Sequence, residues 1–124
     1  MKFTLGKDGR FTTEITKPID YRLYFGLNYG KDRVLTIHLT NDYDEYCEFI
    51  DLLKHIYLVK EVKSNFNEII VKKTDTHELS FVKDKSNLVK VILFEKRTKE
   101  SVICQISINT IATLIDILSE YIAE

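Results

Sequence analysis

Three histidines, two cysteines and a run of carboxylates are the side chains of this 124-residue sequence with the means to do chemistry. His38, His55 and His77 are widely separated, and none stands at a ligand spacing from another or from Cys47 or Cys104, so no metal site is read from them. Asp44, Glu48 and Asp51 recur at three to four residues, which puts them on one helix face. They have no basic or metal-binding companion, so they read as a solvated acidic stripe and not as a catalytic pair. Nothing in the chain resembles a nucleophile elbow, a phosphate-binding Walker loop or a dinucleotide fingerprint. The chain therefore reads as a binding protein, not an enzyme, and implies no cofactor. Gly6-Lys7-Asp8-Gly9-Arg10 and Gly30-Lys31-Asp32-Arg33 are alike and basic, and their amides could cradle a phosphate. Their composition is first of all that of hairpin turns.

The elements that must position these residues show in the hydrophobic period. Lys2 to Leu5 and Phe11 to Thr16 alternate apolar and polar around an Asp-Gly pair, a strong hairpin signal. Pro18 breaks the pattern. Tyr21 to Tyr29 then places Tyr21, Leu23, Phe25, Leu27 and Tyr29 on one face and Arg22, Tyr24 and Asn28 on the other. Arg33 to Thr40 alternates again, with Leu35, Ile37 and Leu39 opposed to Thr36, His38 and Thr40. From Asp42 to about Tyr57 the period becomes helical, with Thr40, Asn41 or Asp42 as the cap and acids in the first turns, where they suit the helix dipole.

The second half repeats the order. Asn67 to Lys73, Glu78 to Lys83, Leu88 to Glu95 and Val102 to Ile106 read as strands, and Ser107 can cap a helix from Ile108 to Ile122. Phe49-Ile50-Asp51-Leu52-Leu53 of the first helix matches Leu114-Ile115-Asp116-Ile117-Leu118 of the second, 65 residues on. The expected architecture is α+β: a duplicated four-strand-plus-helix unit, its antiparallel sheets packed with two helices. Residues 1–124 form one domain of two repeats, 1–58 and 66–124, because a half of that size would struggle to bury its sheet alone. The segment 58–66 is read as a short connection, able either to extend the helix or to begin the fifth strand.

Four antiparallel strands followed by a helix, with two such units combined, resembles the Whirly proteins and the related positive-cofactor transcriptional coactivators. The resemblance lies in element order over the whole chain and in no sequence motif. It implies a single-stranded DNA or RNA partner bound across the sheet surfaces.

Charge is distributed compatibly with that expectation. The formal net charge is −1, yet residues 1–40 carry +3, 41–57 carry −4, 58–99 carry +4 and 100–124 carry −4. Strand blocks are thus positive and helix blocks negative, which would draw a polyanion to the sheets. The candidate nucleic-acid-binding residues are Lys2, Arg10, Arg22, Tyr24, Asn28, Arg33 and His38 in the first repeat, with Thr12 on the same polar face, and Lys72, Lys83 and Lys90 in the second. Tyr24, set between Arg22 and Asn28, is the candidate to stack a base. Phe94, on the face of Leu88, Lys90 and Ile92, is read as core.

The alternative reading is a protein-interaction module, such as a small inhibitor or adaptor of phage or mobile-element type, docking a basic partner on the acidic face of 42–55. A small-ligand pocket between sheet and helices is the third. Apolar strand faces and tyrosines at the first helix leave room for a homodimer. Met1 to Gly6 contains no apolar run of signal-peptide length and no stretch suits a membrane span, so a cytoplasmic protein with reduced cysteines is expected.

Overall fold

The computed structural model describes residues 2–8, 11–16, 18–29, 33–58, 66–84 and 87–123. Strands β1 (Lys2–Asp8), β2 (Phe11–Thr16), β3 (Leu23–Tyr29) and β4 (Arg33–Thr40) form one antiparallel sheet in sequence order, followed by helix α1 (Tyr43–Leu58). Strands β5 (Phe66–Lys73), β6 (His77–Asp84), β7 (Leu88–Glu95) and β8 (Glu100–Ser107) form a second, followed by α2 (Ile108–Ala123). This is the duplicated α+β architecture expected from the periodicity. The tip at Gly9-Arg10, the turn at Gly30-Lys31-Asp32 and the connection at 59–65 lie outside the described residues.

The duplication extends to residue register. Thr4 pairs with Glu14, Glu14 with Gly26 and Gly26 with Thr36; 66 or 67 residues later Ile70 pairs with Ser80, Ser80 with Ile92 and Ile92 with Ile103. Even the irregularity is repeated. A bulge between Thr4 and Gly6 is matched by one between Ile70 and Lys72, and each adds a residue that bends the first strand of its sheet. Inward-facing residues correspond as well: Leu23, Phe25 and Leu27 of β3 are buried like Val89, Val91 and Leu93 of β7.

Both helices start on the expected caps. Asp42 Oδ1 accepts the Glu45 amide at 2.9 Å, and Ser107 Oγ accepts the Thr110 amide at 3.2 Å. Asp44, Glu48, Asp51 and His55 are exposed on α1, while Tyr46, Phe49, Ile50, Leu53 and Ile56 are buried. On α2, Ile111, Leu114 and Leu118 are buried. Cys47 and Cys104 are both free.

The core is shared. Buried side chains of both sheets and both helices form one cluster, and the helices are interlocked with the opposite repeats. Helix α1 is tied to the second sheet at both ends, by the Lys72–Glu45 ion pair at 3.6 Å and by Lys83 Nζ donating to the Ile56 carbonyl at 3.1 Å. Helix α2 in turn lies against β1, and its Tyr121 lines a cleft with Pro18, Asp20 and Tyr21. The sheets meet where β1 runs beside β8. Gly6 is required there: a Cβ would stand 2.7 Å from Ile106 Cγ2 and 2.8 Å from the Gln105 carbonyl oxygen. Gly6 therefore has a packing role, whatever the turn after it does.

Two expectations need correction. Tyr21 does not continue β3. Asp20 and Tyr21 have φ of 50° and 63° in a tight turn closed by a bridge between Ile19 and Arg22. A tyrosine in that region is strained. It is held because its ring packs edge-on to Tyr43 and Tyr46 at 5.1 and 5.4 Å and its carbonyl accepts Thr40 Oγ1 at 2.8 Å. Phe94 is not core: in β7 the buried residues are Val89, Val91 and Leu93, so Phe94, half-buried, belongs to the opposite face. The alternation was legible, but both faces are apolar, and the period alone does not say which one the helices cover.

Candidate nucleic-acid interface

Each sheet has one face on the helices and one turned away. On the outer face of the first sheet Tyr24 of β3 and His38 of β4 are cross-strand partners. Their rings are stacked, centroids 4.4 Å apart and planes within 9°. Tyr24 is 40% exposed, so this stacked pair presents an aromatic surface to solvent. It is anchored from below: Thr16 Oγ1 accepts the Tyr24 amide at 2.9 Å, which fixes the backbone from which the ring projects. His38 Nε2 is screened from solvent and hydrogen-bonds nothing among the described residues. Buried polar atoms left in this state are rare and need an explanation.

Beside the pair is a hollow of about 30 Å³ lined by Glu14, Thr16, Tyr24, Gly26 and Thr36, room for a single polar group. Its floor is Gly26, where a Cβ would meet nothing within 4 Å. Glycine within a strand costs stability and leaves a gap in the side-chain surface. Packing does not demand it here, because the matching residue of the second repeat is Ile92. Asn28 and Thr12, cross-strand partners, continue the same face as half-buried polar groups, and Arg22 is exposed at the start of β3.

The remaining candidates divide. Lys2 and Arg33 are on the backbones of β1 and β4, their side chains outside the described set, and Arg10 is outside the described residues altogether. Lys72 and Lys83 do not join an open cationic face. Both are on the helix side of the second sheet, held by Glu45 and by the Ile56 carbonyl. Lys90 is exposed on the outer face of that sheet, among Ile92, Ile103 and Phe94. The structure thus brings Tyr24 and His38 into contact, keeps Asn28 further along the same face and leaves Arg22 exposed just before β3, while the second-repeat lysines lie elsewhere. Sequence reading did not single out Gly26, Glu14 or Thr36. The available signal was a lone glycine in an alternating strand whose counterpart is isoleucine.

His55 is exposed on α1, and His77 Nδ1 is 2.8 Å from Thr76 Oγ1 in the β5–β6 turn. Among the described residues no three His, Cys, Asp or Glu side chains converge, and no helix is long and apolar enough to cross a membrane. Among the described residues, larger clefts lie elsewhere. One of about 350 Å³ is lined by Pro18, Asp20, Tyr21 and Tyr121, and one of about 320 Å³ by Lys54, Tyr57, Leu58, Ala112, Ile115 and Asp116.

No protein-family model matches the chain, and no curated protein or solved structure matches it either.

Proposed function

We propose that the protein binds single-stranded DNA or RNA across the outer face of its first sheet, with little sequence preference. The observation that carries the reading is the exposed Tyr24–His38 stack beside the open floor at Gly26. A flat aromatic surface set among polar groups is what an unpaired base stacks on, and such stacking contributes about 1–3 kcal/mol per base. Arg22, together with the strand-block charge of +3 over residues 1–40, supports the phosphate contacts that draw the strand in. The order of elements shared with the Whirly-like proteins supports the same partner.

Fluorescence anisotropy with a labelled oligo-dT of about 30 nucleotides, at low and at physiological salt and beside an equal-length duplex, tests the proposal. Micromolar or tighter binding to the single strand, weakening steeply with salt and weaker for the duplex, supports it. Absence of binding at low salt overturns it.

A second reading is favoured by the exposure of Asp44, Glu48 and Asp51 along α1. That stripe is a docking face for a basic protein partner. Charge reversal at Glu48 and Asp51 would abolish such docking while leaving oligonucleotide binding intact.

A further inference from the structure

The two repeats share a core and differ on their outer faces. In the first sheet the central row across the strands is Thr4, Glu14, Gly26 and Thr36; in the second, the matching row is Ile70, Ser80, Ile92 and Ile103. Ile70 is 51% exposed and Ile103 46%, with Ile92, Val82 and Phe94 half-buried around them. The first repeat folds with small and polar residues at these positions, so the unit's own fold does not call for the isoleucines. Isoleucines on three of the four strands, Ile70, Ile92 and Ile103, with Val82 beside them, form the kind of exposed patch that marks an interaction surface. Branched aliphatics offer no flat face to a base, which separates this surface from the Tyr24 face.

We infer that the outer face of the second sheet is a dimer interface, and that its occupant is the same face of a second copy of this chain. Size is the first argument. The four strands are eight residues long. At about 4.8 Å between strands and about 3.3 Å per residue they span about 500 Å² of plane, so two copies face to face remove about 1,000 Å² from water, where specific interfaces begin.

Self-complementarity is the second argument. Val82, Lys90 and Gln105 lie in register on one side of the isoleucine row, and Glu78, Phe94 and Ser101 on the other. A two-fold axis running along the row sets isoleucine against isoleucine. It also sets Lys90 of one copy over the Phe94 ring of the other and Gln105 against Ser101, each contact occurring twice. A lysine over an aromatic face is attractive and gains strength as water leaves. Such an interface is isologous and closes at two copies. The Tyr24 faces of both copies stay open, so each dimer carries two separate aromatic surfaces.

Sedimentation velocity on the full chain, from about 1 to 100 µM, tests the inference. The expected wild-type species has twice the 14.6 kDa chain mass. The double variant Ile70→Lys/Ile103→Lys should sediment as a monomer throughout, because the symmetric interface would bring four lysines into an apolar contact. Both positions are exposed, so its circular dichroism should match wild type. Thr4→Lys, at the position in the first sheet that matches Ile70, should leave the dimer intact. A wild type that remains monomeric at about 100 µM overturns the inference. So does a dimer that survives the double substitution, or a monomeric wild type whose oligonucleotide binding is lost in the double variant, since that would assign the face to nucleic acid.

Discussion

The hydroxyl of Tyr46 on α1 donates to the carbonyl of Leu118 on α2 at 2.6 Å, inside the core, so a polar contact joins the helices of the two repeats. The residue matching Tyr46 in α2 is Ile111, which is buried but brings no hydroxyl, so the tie exists in one direction only.

Tyr46→Phe keeps the ring and removes this bond. The expected cost is about 1 kcal/mol, read as a fall of about 4 °C in Tm. A pH effect accompanies it. Burial, reinforced by Tyr121 and Tyr21, pushes the Tyr46 hydroxyl well above the ordinary tyrosine value. Below about pH 10 folded and unfolded chains both hold the proton and the contribution is complete; as pH rises further the unfolded chain ionises first and stability falls. Tm measured from about pH 8 to 12 should decline more steeply above about pH 10 in wild type than in Tyr46→Phe.

Gly26→Val separates binding from folding. The added side chain meets open space, and a β-branched residue suits a strand, so Tm should hold or rise by a few degrees. The hollow beside Tyr24 would be filled, and affinity for the oligonucleotide should drop about tenfold. A large loss of Tm would show that the glycine serves the fold instead.

Tyr24→Ala should lower oligonucleotide affinity by about 1–3 kcal/mol with circular dichroism unchanged. Lys83→Ala, by contrast, removes a hydrogen bond to the last turn of α1 and should cost about 1 kcal/mol of stability with affinity unchanged. Parallel titrations and thermal melts of the two variants would show opposite patterns. Equal losses of affinity would place Lys83 at the interface.

Thr13 is fully buried in β2, and its Oγ1 has no hydrogen-bond partner among the described residues. The matching residue in the second repeat is Leu79. Thr13→Val removes an unsatisfied hydroxyl at nearly constant shape and should stabilise the protein by about 1 kcal/mol, measurable by urea unfolding. A destabilised variant would mean that the hydroxyl has a partner in solution.

The strands, the helices, their caps and the duplication were legible because each rests on local chemistry: alternation, a change of period, Asp42 and Ser107 at helix starts. Tyr24 and His38 were legible as outward-facing residues for the same reason. Their stacking was not, because it depends on the β3–β4 register, which runs unbroken from the Tyr29–Arg33 pair to Tyr24–His38. The inward turn of Lys72 comes from the bulge in β5, which shifts the residue to the helix side, where Glu45 meets it. Phe94 was misplaced because β7 is apolar on both faces. The missing information in each case was long-range: which strand lies opposite, and which face a helix covers.

The exchange of helices has a consequence for how the chain reaches this state. Since α1 is fastened to the second sheet and α2 lies against the first strand, neither repeat holds all the surfaces that bury its own apolar residues. The first repeat, emerging alone from a ribosome, would expose its sheet until β5 to α2 followed, and would stay a client for chaperones in the meantime. Contacts between β1 and α2 join residues about a hundred positions apart, a separation that slows folding. The same interlock makes the two halves obligate complements. Chains 1–58 and 66–124, each unfolded when produced singly, should assemble on mixing, as subunits of a heterodimer do.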